Sequence, residues 1–122
     1  MKAAVKVNEE KRLVLMDVPM PEPKPSEALV KIKTIGLCGT DVAIKNNTFM
    51  GRHGLVKMPM IPGHELLGEV VAVGSQVKKV KVGDRVTSSA IRGCGECYAC
   101  RTGILNRCRN WEHIGIDSPG CF

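Results

Sequence analysis

The chain has 122 residues, 43% of them apolar, a formal net charge of +6 and four aromatic side chains, Phe49, Tyr98, Trp111 and Phe122. That is enough for one domain with its own core. The opening "MKAAVKVNEEKRL" lacks the apolar stretch of a signal peptide, and no run approaches the roughly 20 apolar residues of a membrane span. The expectation is a soluble, cytoplasmic protein with no membrane partner.

Taken in order, the elements are mostly strands. "KAAVKV" (2–7) and "RLVLMDV" (12–18) predict a hairpin joined at "NEEK". "PMPEPKP" (19–25) predicts an extended connector, because residues before proline avoid helical backbone. "EALVKIKTIGLC" (27–38) predicts a strand with one wet face, its lysines alternating with apolar residues. A short helix is expected over "VAIKNN", with Thr40 or Asp41 as N-cap. "HELLGEVVAVG" (64–74) predicts a further strand. "KKVKVGDRVTSSA" (78–90) predicts a strand that turns at "VGD" and resumes. The class expected is mainly β.

"GCGECYACRTGILNRC" (93–108) holds Cys94, Cys97, Cys100 and Cys108 in the spacing C-x2-C-x2-C-x7-C. In a reducing compartment clustered cysteines bind metal more often than they form disulfides. Short C-x2-C steps aim sulfurs at one point, and the longer step returns the fourth to close a tetrahedron, as in structural zinc sites. The bacterial ferredoxin run has three residues before its last cysteine and a proline after it. Here the gap is seven and Arg109 follows. Four thiolates leave no position for a substrate, so this lobe, residues 93–109, is expected to be structural.

Residues 78–109 carry eight Lys/Arg against Asp84 and Glu96, which raises nucleic-acid binding as a possibility. Within the four-cysteine stretch, however, Tyr98 is the sole aromatic available for stacking, and no nucleic-acid partner is expected. The basic residues have a simpler use in offsetting the net −2 of a divalent metal with four thiolates.

Two other stretches are weak alone: "GLCGTD" (36–41), with Cys38 between glycines, and "PGHELLGEVV" (62–71), with His64 and Glu65 at the mouth of a strand. In combination with "VGDRV", the four-cysteine lobe, the Pro-rich connector and the closing "GIDSPGCF", they resemble the zinc-containing medium-chain alcohol and polyol dehydrogenases, in their GroES-like catalytic domain. The likeness runs nearly end to end.

The resemblance implies a GroES-like, partly open β-barrel over residues 1–122 with the zinc lobe appended. It implies a catalytic zinc held by Cys38 and His64, with Glu65 a ligand or a close neighbour. Asp41 would orient His64, Thr40 would bond the substrate hydroxyl and pass on its proton, and Cys94, Cys97, Cys100 and Cys108 would hold a structural zinc. The implied reaction is oxidation of a small alcohol, polyol or sugar, with zinc as Lewis acid and hydride passed to NAD or NADP. A homo-oligomer is expected of the full-length protein.

Several features depart from that pattern. The position three residues after Thr40, where many relatives carry a proton-relaying His, is Ala43. Gly39 stands where many carry a basic residue for cofactor phosphate, which leans toward polyol, threonine and sugar dehydrogenases. No G-x-G-x-x-G or P-loop occurs, since "GCGECY" fails at Tyr98. The family's third zinc ligand and its Rossmann domain are therefore expected beyond Phe122, the chain being cut within a larger protein. The alternative is a stand-alone zinc-binding module that pairs with another chain. His53, His113 and Trp111 are given no role, His53 being read as a solvated loop residue, and Cys121 is read as a packed free thiol.

Overall fold

The structure, a computed structural model, describes residues 1–51 and 54–122, with Leu55 described by its backbone alone. The reading of His53 lies outside the described residues. The chain is mainly β, arranged in small open sheets.

β1 (Lys2–Val5) and β2 (Val14–Asp17) form the expected antiparallel hairpin, in register from Lys2↔Asp17 to Val5↔Val14. Alternation sends Ala3 and Val5 into the core. Lys6 ends this run and is fully buried, yet its ammonium is satisfied. It donates to the carbonyls of Glu10 and Lys45, joining the hairpin loop to the end of the following helix. The Pro-rich connector has no regular structure.

β3 (Ala28–Ile35) pairs antiparallel with β6 (Leu66–Val73), and β6 with β7 (Arg85–Thr87), in the order β3-β6-β7. Register shifts at Leu29/Val30 and Ile32/Thr34 interrupt the long pairing. Such bulges bend a strand and raise its twist, which curves a sheet without closing it. The single wet face expected of β3 is corrected here. Ile32 and Ile35 are 36% and 41% exposed, so the second half of β3 is open on both faces.

The expectation for 78–82 is corrected too. Residues 78–84 form no strand. The Asp84 carboxylate accepts from the backbone N–H and the ammonium of Lys81, and this local bonding turns the chain where the Lys/Val alternation suggests a strand.

α1 (Gly39–Lys45) follows β3 in the chain and buries Ile44. Its N-cap is neither Thr40 nor Asp41 but Cys38. The Cys38 sulfur accepts the Thr40 N–H, and Asp41 reaches back to accept the Cys38 N–H. This is a capping box with a thiol in the place of a hydroxyl. The residue that begins the helix is thus a candidate metal ligand.

β4 (Met50–Gly51) and β5 (Gly54–Leu55) form a minor ribbon. β8 (Ile91–Arg92) pairs with β9 (Glu112–His113), and the four-cysteine lobe grows from this pair. The lobe contains only the single-turn helix α2 (Tyr98–Arg101) and a 3-10 turn, Leu105–Arg107. Ile104 and Leu105 are exposed, and of its residues only Cys108 is buried.

Candidate metal centres

The lobe sulfurs converge. The ligand atoms of Cys94, Cys97, Cys100 and Cys108 all lie within 4.8 Å of one another, and Cys94 Sγ is 3.9 Å from Cys100 Sγ. Tetrahedral zinc with bonds of about 2.3 Å separates its sulfurs by roughly 3.8 Å. The donor set and its spacing fit that ion. α2 contributes by carrying Cys100 and starting at Cys97, while the Cys94 N–H points at Cys108 Sγ.

Backbone N–H groups of Glu96 and Cys97, with the neighbouring sulfurs, lower the Cys94 thiol to about 6. The Cys100 N–H lowers Cys97. Cys100 goes the other way: the Gly95 N–H favours its thiolate, but burial and the adjoining sulfurs push it up to about 12. The first proton leaves this cluster easily and the last with difficulty, since each thiolate repels the next. A divalent cation relieves that repulsion and displaces the remaining protons.

The second cluster is built from distant parts of the chain. Cys38 ends the loop after β3, and His64 and Glu65 lead into β6. Their ligand atoms also lie within 4.8 Å of one another, with Cys38 Sγ 3.1 Å from His64 Nε2. Pairing of Ile35 with Leu66 at the end of the β3–β6 ladder brings the two loops to the same edge.

Two glycines make the approach possible. A Cβ on Gly36 would overlap the Glu65 side chain, so only a glycine leaves that carboxylate its place. Gly63, at φ +95°, takes a backbone conformation that side-chain-bearing residues disfavour, and a Cβ there would meet Phe122 and Cys121. The segment 120–122 closes over this loop through Gly120 N–H to Ile61, Cys121 N–H to Gly63 and Phe122 N–H to Pro62.

One thiolate, one imidazole and one carboxylate suit zinc and leave a coordination position open. The buried Asp41 Oδ1 stands 3.9 Å from His64 Nδ1, and neither atom has a hydrogen-bond partner among the described residues. Thr40 sits half-buried in the first turn of α1. Cys121 lies outside the donor cluster, its thiol directed at the Glu65 carbonyl and pushed up by burial. A cavity of about 530 Å³, lined by Val5, Met60, Ile116 and Pro119, includes none of the donors.

Sequence reasoning passed over His113. Its ring lies edge-on to His64, with centroids 4.9 Å apart. Nothing local signals this, because only the β8–β9 pairing carries His113 there.

Two zinc-competent donor sets on small open β-sheets, one closed and one with room for a further ligand, define the class as a zinc-binding β domain. The family model of the alcohol dehydrogenase GroES-like domain matches residues 24–122, and the chain belongs to that family. It is 42% identical, over all 122 residues, to an L-threonine 3-dehydrogenase of Escherichia coli O1:K1 / APEC, and spans 36% of that protein's length. A cobalt- and zinc-bound thermostable alcohol dehydrogenase from Pyrobaculum aerophilum superimposes with a TM-score of 0.88 at 31% identity, over 99% of this chain and 36% of that one. A zinc-binding dehydrogenase from Sinorhizobium meliloti 1021, bound to NADP, gives 0.83 at 35% identity, over 98% and 33%. No helix among the described residues is long and apolar enough to cross a membrane.

Proposed function

We propose that residues 1–122 form the N-terminal part of the catalytic domain of a zinc-dependent NAD(P) dehydrogenase acting on a small alcohol, polyol, sugar or hydroxy amino acid. The carrying observation is the convergence of Cys38, His64 and Glu65 within 4.8 Å from two separate loops. Zinc bound there supplies a Lewis acid that lowers the pKa of an alcohol oxygen. Cys38 and His64 hold the ion, Glu65 lies within reach as a third donor, and Asp41 orients His64. Thr40 bonds the substrate hydroxyl and takes its proton onward. With Ala43 unable to relay a proton, the path continues through another group. The four lobe cysteines hold a structural zinc over 93–109. A nicotinamide cofactor would supply the hydride acceptor, and these residues carry no dinucleotide-binding fingerprint of their own. The threonine dehydrogenase relatives and the NADP-bound neighbour support the reading. A cytoplasmic homo-oligomer fits it.

The test is Thr40→Val in the full-length protein. Zinc content stays at wild-type level and turnover falls roughly 10²- to 10⁴-fold, the span for losing a proton-transfer group. Unchanged turnover with NAD and NADP contradicts the role of Thr40.

A further inference from the structure

His64 is the part of the Cys38–His64–Glu65 centre whose orientation is least accounted for by hydrogen bonds. Its Nε2 faces the Cys38 sulfur at 3.1 Å. Its Nδ1 faces Asp41 Oδ1 at 3.9 Å, beyond hydrogen-bond range, and both atoms are buried without a partner among the described residues. An imidazole anchored by a hydrogen bond on its far nitrogen keeps its plane fixed. Here the Asp41 carboxylate lies too far to hold the ring by a hydrogen bond alone, which leaves room for a second contact to share in setting the plane.

The contact present is His113. Its ring meets the His64 ring at an interplanar angle of 76°, with centroids 4.9 Å apart, an edge-to-face geometry that aromatic rings favour. His113 is itself held firmly. Its N–H donates to Asp117 Oδ2 at 2.8 Å, and its carbonyl accepts from the Asp117 N–H at 2.9 Å. Its Nδ1 lies 2.7 Å from the Ile114 carbonyl, so the proton sits on that nitrogen. Pairing with Ile91 ties it to the base of the lobe, and Trp111 lies beyond it with ring centroids 6.3 Å away.

We propose that His113 is a positioning residue for His64: a rigid aromatic wall that keeps Nε2 turned toward the ion. The inference rests on the proposal that Cys38 and His64 bind metal. It places the determinant in ring packing, not in the charge of His113.

Cobalt(II) titration of the full-length protein tests it. The absorption bands of a four-thiolate site and of a mixed sulfur, nitrogen and oxygen site report the two centres separately. His113→Ala is expected to weaken the mixed site roughly 10- to 100-fold, the range for losing an orienting partner, and to leave the four-thiolate site unchanged. His113→Phe, which keeps the ring, is expected to restore most of that affinity. Equal loss at both sites, no loss in the alanine variant, or a phenylalanine variant as weak as alanine each overturns the proposal. A wild-type protein that takes up one cobalt, at the four-thiolate site alone, overturns the metal reading of Cys38 and His64 along with it.

Discussion

The two donor clusters reach similar compactness by opposite routes. In the lobe all four ligands fall between Cys94 and Cys108, closing them costs little loop entropy, and the structure around them is one helical turn and a 3-10 turn. Only Cys108 is buried. At the other cluster Cys38 and His64 come from separate loops, and a sheet, a capped helix and two glycines bring them together. The lobe is therefore expected to depend on an ion to fold, and the mixed site to be assembled by the surrounding fold.

The sharpest way to break this contrast is Cys108→Ser. It removes the one buried sulfur and leaves three exposed or half-exposed ones. Structural zinc binding contributes about 10–16 kcal/mol in small zinc domains, so the lobe is expected to lose its metal and its hydrogen-exchange protection outright. Protection in β3 and β6 persists. If the whole chain unfolds, the lobe is no independent unit.

Asp41→Ala addresses the other side. It removes half of the α1 capping box and the acceptor nearest His64. The expected outcome is about 1 kcal/mol of lost stability and a roughly 10- to 100-fold weaker mixed site. Metal analysis should find the four-cysteine site full. Equal loss at both sites would make Asp41 a folding residue only.

Acidification probes the lobe. The Cys94 thiol is lowered to about 6, so it stays a thiolate above that value and gains a proton as pH falls through it. Competition at Cys94 then adds to the competition already present at Cys100, so lobe affinity should fall more steeply with pH below 6 than above it. Chelator competition across that range measures it. Flat affinity down to pH 4 would show that the ion, not the backbone N–H groups, governs the thiolates.

The most local effect is expected from Gly36→Ala, whose Cβ would overlap Glu65. Crowding of this kind costs about 1–3 kcal/mol. Glu65 should withdraw and the mixed site alone should change, as metal titration of both sites would show.

Much of this was legible in the sequence, for reasons that differ by region. Cys94 to Cys108 could be read directly, because the spacing of local ligands encodes their geometry. Cys38, His64 and Glu65 became a set only through resemblance, since no local pattern reports that β3 and β6 end at the same edge. The N-cap was misjudged because Cys38 was weighed as a ligand and not as a cap. The Lys/Val alternation at 78–82 suggests a strand, but hydrogen bonds to Asp84 turn the chain there instead. His113 was beyond reach: its partner is far away in sequence and its neighbours show no periodicity. Lys6 was equally hidden, since a buried lysine reads as a surface one until its carbonyl partners at Glu10 and Lys45 are seen.

The central claim, one site made by its ion and one made by the fold, is tested most directly by hydrogen exchange during stepwise metal removal. On stripping both ions with a chelator, residues 93–109 are predicted to lose protection while β3, β6 and α1 keep theirs. A lobe that remains protected without metal, or a β3–β6 pair that exchanges freely once the ions are gone, would contradict the account.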